Sequence, residues 1–174
     1  MNQDLRAGLR HTLILRIDPS LIVPAVSPSF SGFRDMPPVF ATAFMVAFIE
    51  WACVEALRPY LSPSERTVGT HINVTHVAAT PVGMNVAAAV KLVAVEGGKL
   101  RFRVECQDEA EMIGAGTHER AVIDLAKFLA RRSKRRQDPC RAANRDWRAR
   151  IAGLHWNLHP CPLRLLSVSL EGRR

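Results

Sequence analysis

The sequence predicts an α+β domain in which one long central helix is wrapped by a curved antiparallel sheet. The first observation is an apolar stretch over residues 37–61, long enough for several helical turns. The second is the chain that follows it, where apolar and polar residues alternate in short segments, as they do in half-buried strands. The third is length, since 174 residues with 48% hydrophobic content can bury one good core.

The central helix is predicted over residues 37–61. Pro37 and Pro38 pre-set the backbone for a first helical turn, and about six turns follow before the next proline. Nearly every face is apolar, which is typical of a helix buried on all sides. Glu50 is the exception, because a carboxylate in such surroundings is costly to bury unless it has a partner or a function.

Five segments are predicted to form the sheet, one before the helix and four after it, with a hairpin turn at residues 96–99. A helix packed on such a sheet is the hotdog arrangement, and its exposed sheet edge predicts a homodimer. On the second strand the alternation continues to His76, which is therefore expected to face the core. The predicted strands cover residues 10–18, 67–75, 84–95, 100–106 and 112–124.

The segment over residues 19–36 is predicted to be a loop, since Pro, Ser and Gly recur in it without a helical or strand period. It also contains Leu21, Phe30 and Phe33, which are too apolar for a fully solvated loop. We therefore expect a lid or an interface segment.

The net charge of +8 is unevenly distributed along the chain. Residues 1–130 carry 12 basic and 13 acidic side chains, whereas residues 131–174 carry 12 and 3. We expect a nearly neutral hotdog domain over 1–130 and a basic tail over 131–174, either disordered or weakly docked. We do not expect nucleic acid as a partner, because a basic tail is more often solvated than a nucleic-acid site.

Cysteine usage and the N-terminus indicate a cytoplasmic protein. The four cysteines show no CxxC spacing, so we expect reduced thiols, and the first residues lack the apolar region of a signal peptide. No stretch is an uninterrupted membrane span. No cofactor or metal is expected, since His155, His159 and Cys161 lack a second cluster that would complete a ligand set.

Thr42, Glu50 and His76 are the candidate catalytic residues. They supply a hydroxyl nucleophile, a carboxylate and an imidazole, which are the three side-chain types needed for acyl transfer. Each also has a structural interpretation: a Thr near a helix start often caps the helix, and a His at a strand end is often a hydrogen-bonded core residue.

Three segments resemble the fluoroacetyl-CoA thioesterase type of hotdog enzyme, over roughly residues 10–130. They are VFATAFMVAFIEWACVEALRPYL, GTHINVTHVAATPVGM and GAGTHERAVID, in this order. The resemblance implies a thioesterase that hydrolyses a short acyl-CoA, with a fluorinated or otherwise small polar acyl group, to the free acid and CoA. It also implies that Thr42, Glu50 and His76 form the catalytic group.

The same resemblance implies substrate contacts outside the catalytic group. Gly69 and Arg120 match positions that contact substrate or CoA, and Phe33 matches a phenylalanine of the lid. Met36 stands where a second lid phenylalanine is expected, and Ala43 stands where Gly is usual. Because selectivity for a fluorinated acyl group is attributed to the lid, the acyl group stays open.

Helix geometry limits how the catalytic group can form. In a continuous helix Thr42 and Glu50 are about 12 Å apart along the axis and cannot bond directly. Thr42 therefore lies in a non-helical turn, or His76 bridges the two, or the second chain of a dimer supplies one member. Alternative functions are a hotdog dehydratase or hydratase, a non-hydrolytic acyl-CoA-binding protein, and nucleic-acid binding by the tail.

Overall fold

The computed structural model describes residues 4–137 and contains one five-stranded sheet and two α-helices. Every neighbouring pair of strands is antiparallel, in the order β1-β3-β4-β5-β2. In chain order the elements are β1 (Arg10–Arg16), α1 (Thr42–Leu57), β2 (Glu65–Val74), β3 (Asn85–Glu96), β4 (Lys99–Asp108), β5 (Met112–Asp124) and α2 (Leu125–Gln137).

All five predicted strands are present, and β5 has the predicted bounds. The hairpin between β3 and β4 turns at Gly97 and Gly98, whose φ angles of 54° and 85° lie in the left-handed region that glycine adopts without steric cost. The predicted α+β class is therefore confirmed.

The core lies between one face of α1 and the inner face of the sheet. Phe102 and Leu92 from the central strands are both 0% exposed, and each such side chain contributes roughly 1.5–3 kcal/mol by burial. The buried residues of α1 recur every three or four positions, so they form one stripe: Met45, Phe48, Ile49, Ala52, Cys53, Ala56 and Leu57.

The opposite face of α1 is not covered within one chain. Ala43, Ala47 and Trp51 lie on it, and Trp51 is 48% exposed. The expectation of a helix buried on all sides is therefore wrong for the single chain, because the sheet covers only one side of α1.

The helix begins later than its prolines predict. Residues 39–41 are extended, since the Phe40 N–H donates to the Thr80 carbonyl at 2.8 Å and the Ala41 N–H donates to the Leu21 carbonyl at 3.0 Å. These long-range bonds hold the backbone out of helical geometry and bury Phe40 to 1% exposure. Thr42 thus becomes the first residue of α1.

The second helix was not predicted. It begins after Asp124, whose Oδ1 accepts the Lys127 N–H at 2.9 Å, and it crosses the predicted domain boundary at residue 130. Residues 138–174 lie outside the described residues, so the prediction for the basic tail stays a prediction. Within residues 4–137 neither helix has the length and apolar character that crossing a membrane requires.

Candidate functional site

The start of α1 places Thr42 against His76. The N-cap residue is Ala41, which has no side-chain capping bond, and the Thr42 Oγ1 lies 2.8 Å from His76 Nδ1. The hydroxyl is therefore used in a hydroxyl–imidazole pair. Thr42 is exposed and accessible from solvent.

His76 follows the end of β2 and is half-buried on the same face as Val74, which agrees with the predicted alternation. The Phe40 ring packs edge-on against the imidazole at 6.3 Å between centroids. Burial lowers the pKa of His76, so the ring is neutral near pH 7 and able to accept a proton. Its Nε2 is enclosed and has no hydrogen-bond partner among the described residues.

The same helix start presents free backbone donors. The Met45 N–H donates to the Ala41 carbonyl at 2.9 Å, the first bond of the α-helical ladder. The N–H groups of residues 42–44 precede that bond and have no partner within the helix. Together with the positive end of the helix dipole, they favour a developing negative charge beside the Thr42 hydroxyl.

Two turns further along α1, Glu50 pairs with Arg120 from β5. The Arg120 Nη1 donates to Glu50 Oε2 at 3.0 Å. Arg120 is only 3% exposed, whereas the Glu50 side chain is 41% exposed, so the carboxylate is held from the buried side and open on the other. Thr67 accepts two further guanidinium donors, Nε at its Oγ1 (3.0 Å) and Nη2 at its carbonyl (3.1 Å).

His118 completes this buried group and was missed by sequence reasoning. It is 1% exposed, its Nε2 lies 2.9 Å from Arg120 Nη1, and its Nδ1 lies 2.8 Å from the His71 carbonyl. The signal was the spacing of His118 and Arg120 in the string GTHERAVID, because residues two apart on a strand share a face.

Gly69 lies where the carboxylate and the second imidazole meet the backbone of β2. A Cβ at this position would be 3.0 Å from Glu50 Oε1 and 3.1 Å from His118 Cε1. The pairing of β2 with β5 shifts register between Gly69 and His71, which marks a β-bulge. The absence of a side chain lets Glu50 approach this bulge closely.

The predicted site residues thus fall into two clusters and one separate residue. The first cluster is Thr42 with His76. The second, here called the carboxylate cluster, consists of Glu50, Thr67, Gly69, His118 and Arg120. No hydrogen bond among residues 4–137 joins the two.

Phe33 lies apart from both clusters, in the loop before α1. Its ring packs edge-on against Phe30 at 5.7 Å, and Phe30, Phe33 and Met36 are all exposed. An exposed aromatic pair on a loop agrees with the expected lid or interface segment.

No metal-binding arrangement of His, Cys, Asp or Glu occurs in the described part of the chain. Cys53 and Cys106 are free, buried thiols, and burial raises their pKa to about 12 and about 11, so neither is a reactive thiolate. His155, His159 and Cys161 lie outside the described residues.

A cleft of about 390 Å³ adjoins the carboxylate cluster. It lies between the C-terminal half of α1 and the start of β2, with Val54 and Leu61 on its apolar side and Arg58 and Arg66 on its charged side. Thr67, which holds Arg120, also lines this cleft.

Comparison with known proteins identifies relatives for most of the chain. A family model described as fluoroacetyl-CoA-specific thioesterase matches residues 25–126. The fluoroacetyl-CoA thioesterase of Streptantibioticus cattleyicolor is 47% identical over 131 residues, covering 75% of this chain and 94% of that protein.

Solved structures agree with these matches. The fluoroacetyl-CoA thioesterase FlK superimposes with a TM-score of 0.74 at 46% identity, covering 76% of this chain and 98% of that one. A variant of that enzyme in complex with fluoroacetate and CoA gives a TM-score of 0.70 at 48% identity, covering 71% and 99%. A Thermus thermophilus protein described as a thioesterase superfamily member gives 0.68 at 28% identity, covering 78% and 97%. The predicted hotdog fold is thereby confirmed.

Proposed function

This chain belongs to the family of fluoroacetyl-CoA-specific thioesterases and is a thioester hydrolase, and from that premise we propose how its side chains hydrolyse a short acyl-CoA. Fluoroacetyl-CoA is the proposed substrate, cleaved to fluoroacetate and CoA. The observation that carries the proposal is the 2.8 Å contact between the Thr42 hydroxyl and the neutral His76 imidazole at the start of α1.

In the proposed reaction His76 acts as the proton carrier. With its proton on Nε2, its Nδ1 accepts the proton of the Thr42 hydroxyl as that oxygen, or a water it orients, attacks the thioester carbonyl. The C–S bond then breaks, and the same proton passes from His76 to the departing CoA thiolate. If Thr42 is itself the nucleophile, water hydrolyses the resulting acyl ester and regenerates the hydroxyl.

The carbonyl oxygen gains negative charge during the attack. The free N–H groups of residues 42–44 are placed to bind it, and one such donor is worth about 3–4 kcal/mol where it has been removed from other enzymes. In this proposal the loop that carries Phe33 is the lid that covers the acyl group.

Glu50 requires a second copy of the chain to take part. Thr42 is the first residue of α1 and does not fold back toward Glu50, and His76 Nε2, the atom that would have to reach Glu50 in a bridge, has no partner among the described residues. These two observations favour the third possibility, in which the second chain supplies Glu50. We propose a homodimer in which Glu50 of each copy faces the Thr42–His76 pair of the other. The exposed apolar face of α1, including Trp51, and the unpaired edge of β2 support it.

Arg120 is assigned a supporting role. Its guanidinium is buried, and all three of its nitrogens donate to Glu50, His118 or Thr67, so its proposed role is to orient the Glu50 carboxylate. Gly69 has no side chain and so leaves room for the Glu50 carboxylate beside the β2 bulge. In this proposal the acyl group contacts Gly69 and Glu50 at that place.

The experiment is a thioesterase assay over acetyl-, fluoroacetyl-, phenylacetyl- and medium-chain CoA, with free thiol and acyl product both measured. Thr42→Ala, Glu50→Gln and His76→Ala should each lower kcat on the best substrate by on the order of 10². Thr12→Ala, an exposed threonine on the outer face of β1, is the matched control and should keep wild-type turnover.

The assay also separates the alternatives. With a 2-enoyl-CoA in the same panel, release of thiol with an unchanged acyl double bond excludes a dehydratase or hydratase. Tight acyl-CoA binding without thiol release on any substrate, or wild-type turnover in all three variants, would overturn the proposed mechanism.

A further inference from the structure

His118 is a buried imidazole whose protonation state is fixed by its neighbours. A carbonyl oxygen only accepts, so the 2.8 Å bond to His71 requires a proton on His118 Nδ1. A guanidinium only donates, so the 2.9 Å bond to Arg120 requires a bare Nε2. Both bonds are satisfied by a single form, the neutral ring protonated on Nδ1.

A neutral acceptor at this place has an electrostatic consequence. Arg120 Nη1 is shared between Glu50 Oε2 at 3.0 Å and His118 Nε2 at 2.9 Å. A second carboxylate in the position of His118 would compete with Glu50 for the guanidinium charge. The imidazole instead holds the arginine in place and leaves its full positive charge to Glu50.

The other side of the ring is attached to the β2 bulge. The His71 carbonyl follows the register shift at Gly69, and the His118 ring lies against Gly69 itself, with Cε1 at 3.1 Å from the position of a Cβ. One side chain therefore connects the bulged strand with the arginine that orients the carboxylate.

We propose that His118 is a positioning residue, which as a neutral Nδ1-protonated imidazole holds Arg120 against Glu50 and fixes the β2 bulge beside them. This inference rests on the proposed role of Glu50 in thioester hydrolysis. His118 acts only through Arg120 and the bulge, since its two ring nitrogens are both occupied by protein groups.

The surroundings of the ring keep it neutral. Glu50 faces it from α1, Arg120 from its own strand and His71 from β2, while the residue opposite on β4 is the apolar Phe102. Burial is the main cause that lowers the pKa of His118, and the adjacent guanidinium acts in the same direction. A protonated ring would lose its bond to Arg120 and place two cations in contact.

The kinetic test compares two substitutions of His118 with a core control. His118→Phe removes both hydrogen bonds and should lower kcat by roughly 10- to 100-fold with a much smaller change in KM, as for other residues that orient a functional group. His118→Gln can still offer an amide oxygen to Arg120 and should recover part of that loss. Leu92→Val trims the same core face on β3, where β4 lies between it and His118, and should keep wild-type kcat.

A spectroscopic test does not depend on catalysis. In ¹⁵N-histidine-labelled protein, one ring should be protonated on Nδ1 and should titrate below the ordinary histidine pKa. That signal should be absent in His118→Gln, and its pKa should rise in Arg120→Met, where the cation is gone. This result stands even if the chain hydrolyses no thioester.

Two outcomes would overturn the proposal. One is a His118→Phe variant that is folded and has wild-type kcat, or whose loss of kcat is matched by Leu92→Val at equal melting temperature. The other is a His118 ring that is protonated on Nε2 or titrates near the ordinary histidine pKa.

Discussion

The two halves of the candidate site differ in how firmly they are held. Thr42 and His76 share one hydrogen bond, Thr42 is exposed, and the second ring nitrogen of His76 has no partner among the described residues. In the carboxylate cluster, Arg120 alone donates four hydrogen bonds to three residues and is 3% exposed.

The difference corresponds to the proposed roles. A nucleophile and a proton carrier must exchange partners during turnover, so spare hydrogen-bonding capacity and access to substrate serve them. A carboxylate that orients or polarises must keep one geometry, and a network of neighbouring donors provides this without reorganisation during the reaction.

The largest expected effect tests whether the two halves work together across two chains. Thr42→Ala and Glu50→Gln homodimers are each expected to be inactive. After mixing and subunit exchange, half of the dimers are mixed, and each contains one site with both native residues. Activity should return to about a quarter of wild type.

A mixture that stays inactive, although subunit exchange is verified by mass spectrometry of the dimers, would contradict the shared site. It would place Thr42 and Glu50 in the same functional unit of one chain, or remove Glu50 from the reaction.

A smaller effect is expected from Gly69→Ala, which alters only the firmly held half. The new methyl group would meet the Glu50 carboxylate at 3.0 Å and the His118 ring at 3.1 Å, so one of them must shift. We expect a kcat loss of roughly tenfold and a destabilisation of about 1–2 kcal/mol, measured by assay and by denaturant unfolding.

The matched control is Gly32→Ala, whose added methyl group meets nothing within 4 Å and whose stability should equal that of the wild type. Equal effects of the two substitutions on stability would show that the close approach at Gly69 carries no strain.

The smallest effect concerns pH and stability. Burial lowers the pKa of both His76 and His118, so the unfolded chain binds more protons than the native one below about pH 6.5. The contribution of the two neutral imidazoles to the free energy of unfolding is complete above about pH 6.5, and it is lost as the pH falls through the pKa values of the native protein. The melting temperature should therefore decrease between about pH 7 and pH 5.

His118→Gln should reduce the slope of that decrease more than His76→Ala does, because His118 is the more deeply buried of the two rings. An unchanged slope in His118→Gln would mean that this ring is not held neutral, which also bears on the role inferred for it above.

Local patterns were sufficient to predict most of the elements. The last predicted strand has the bounds observed for β5, and two glycines marked the hairpin between β3 and β4. The start of α1 was wrong because Phe40 and Ala41 are extended by bonds to Thr80 and Leu21, which are distant in sequence. A proline pair shows where a helix is permitted to start, but it does not show whether distant backbone carbonyls will bind the following N–H groups and keep them extended.

The side-chain types at the site could also be predicted from the sequence, but which of these side chains contact one another could not. Thr42 and His76 were expected to act with Glu50, and within one chain only the first two meet. His118 lies inside a motif that was recognised, yet nothing local distinguishes a buried network histidine from a solvated one on an alternating strand.

By itself the sequence determined the helix, the strands, the hairpin and the side chains available for acyl transfer, because these depend on residues a few positions apart. The tertiary structure decided that Glu50 binds Arg120, 70 positions away, and that Thr42 begins the helix beside His76. Those outcomes follow from the sheet order, which sets β5 next to β2 against α1, and long-range order of this kind is fixed only when the whole core packs.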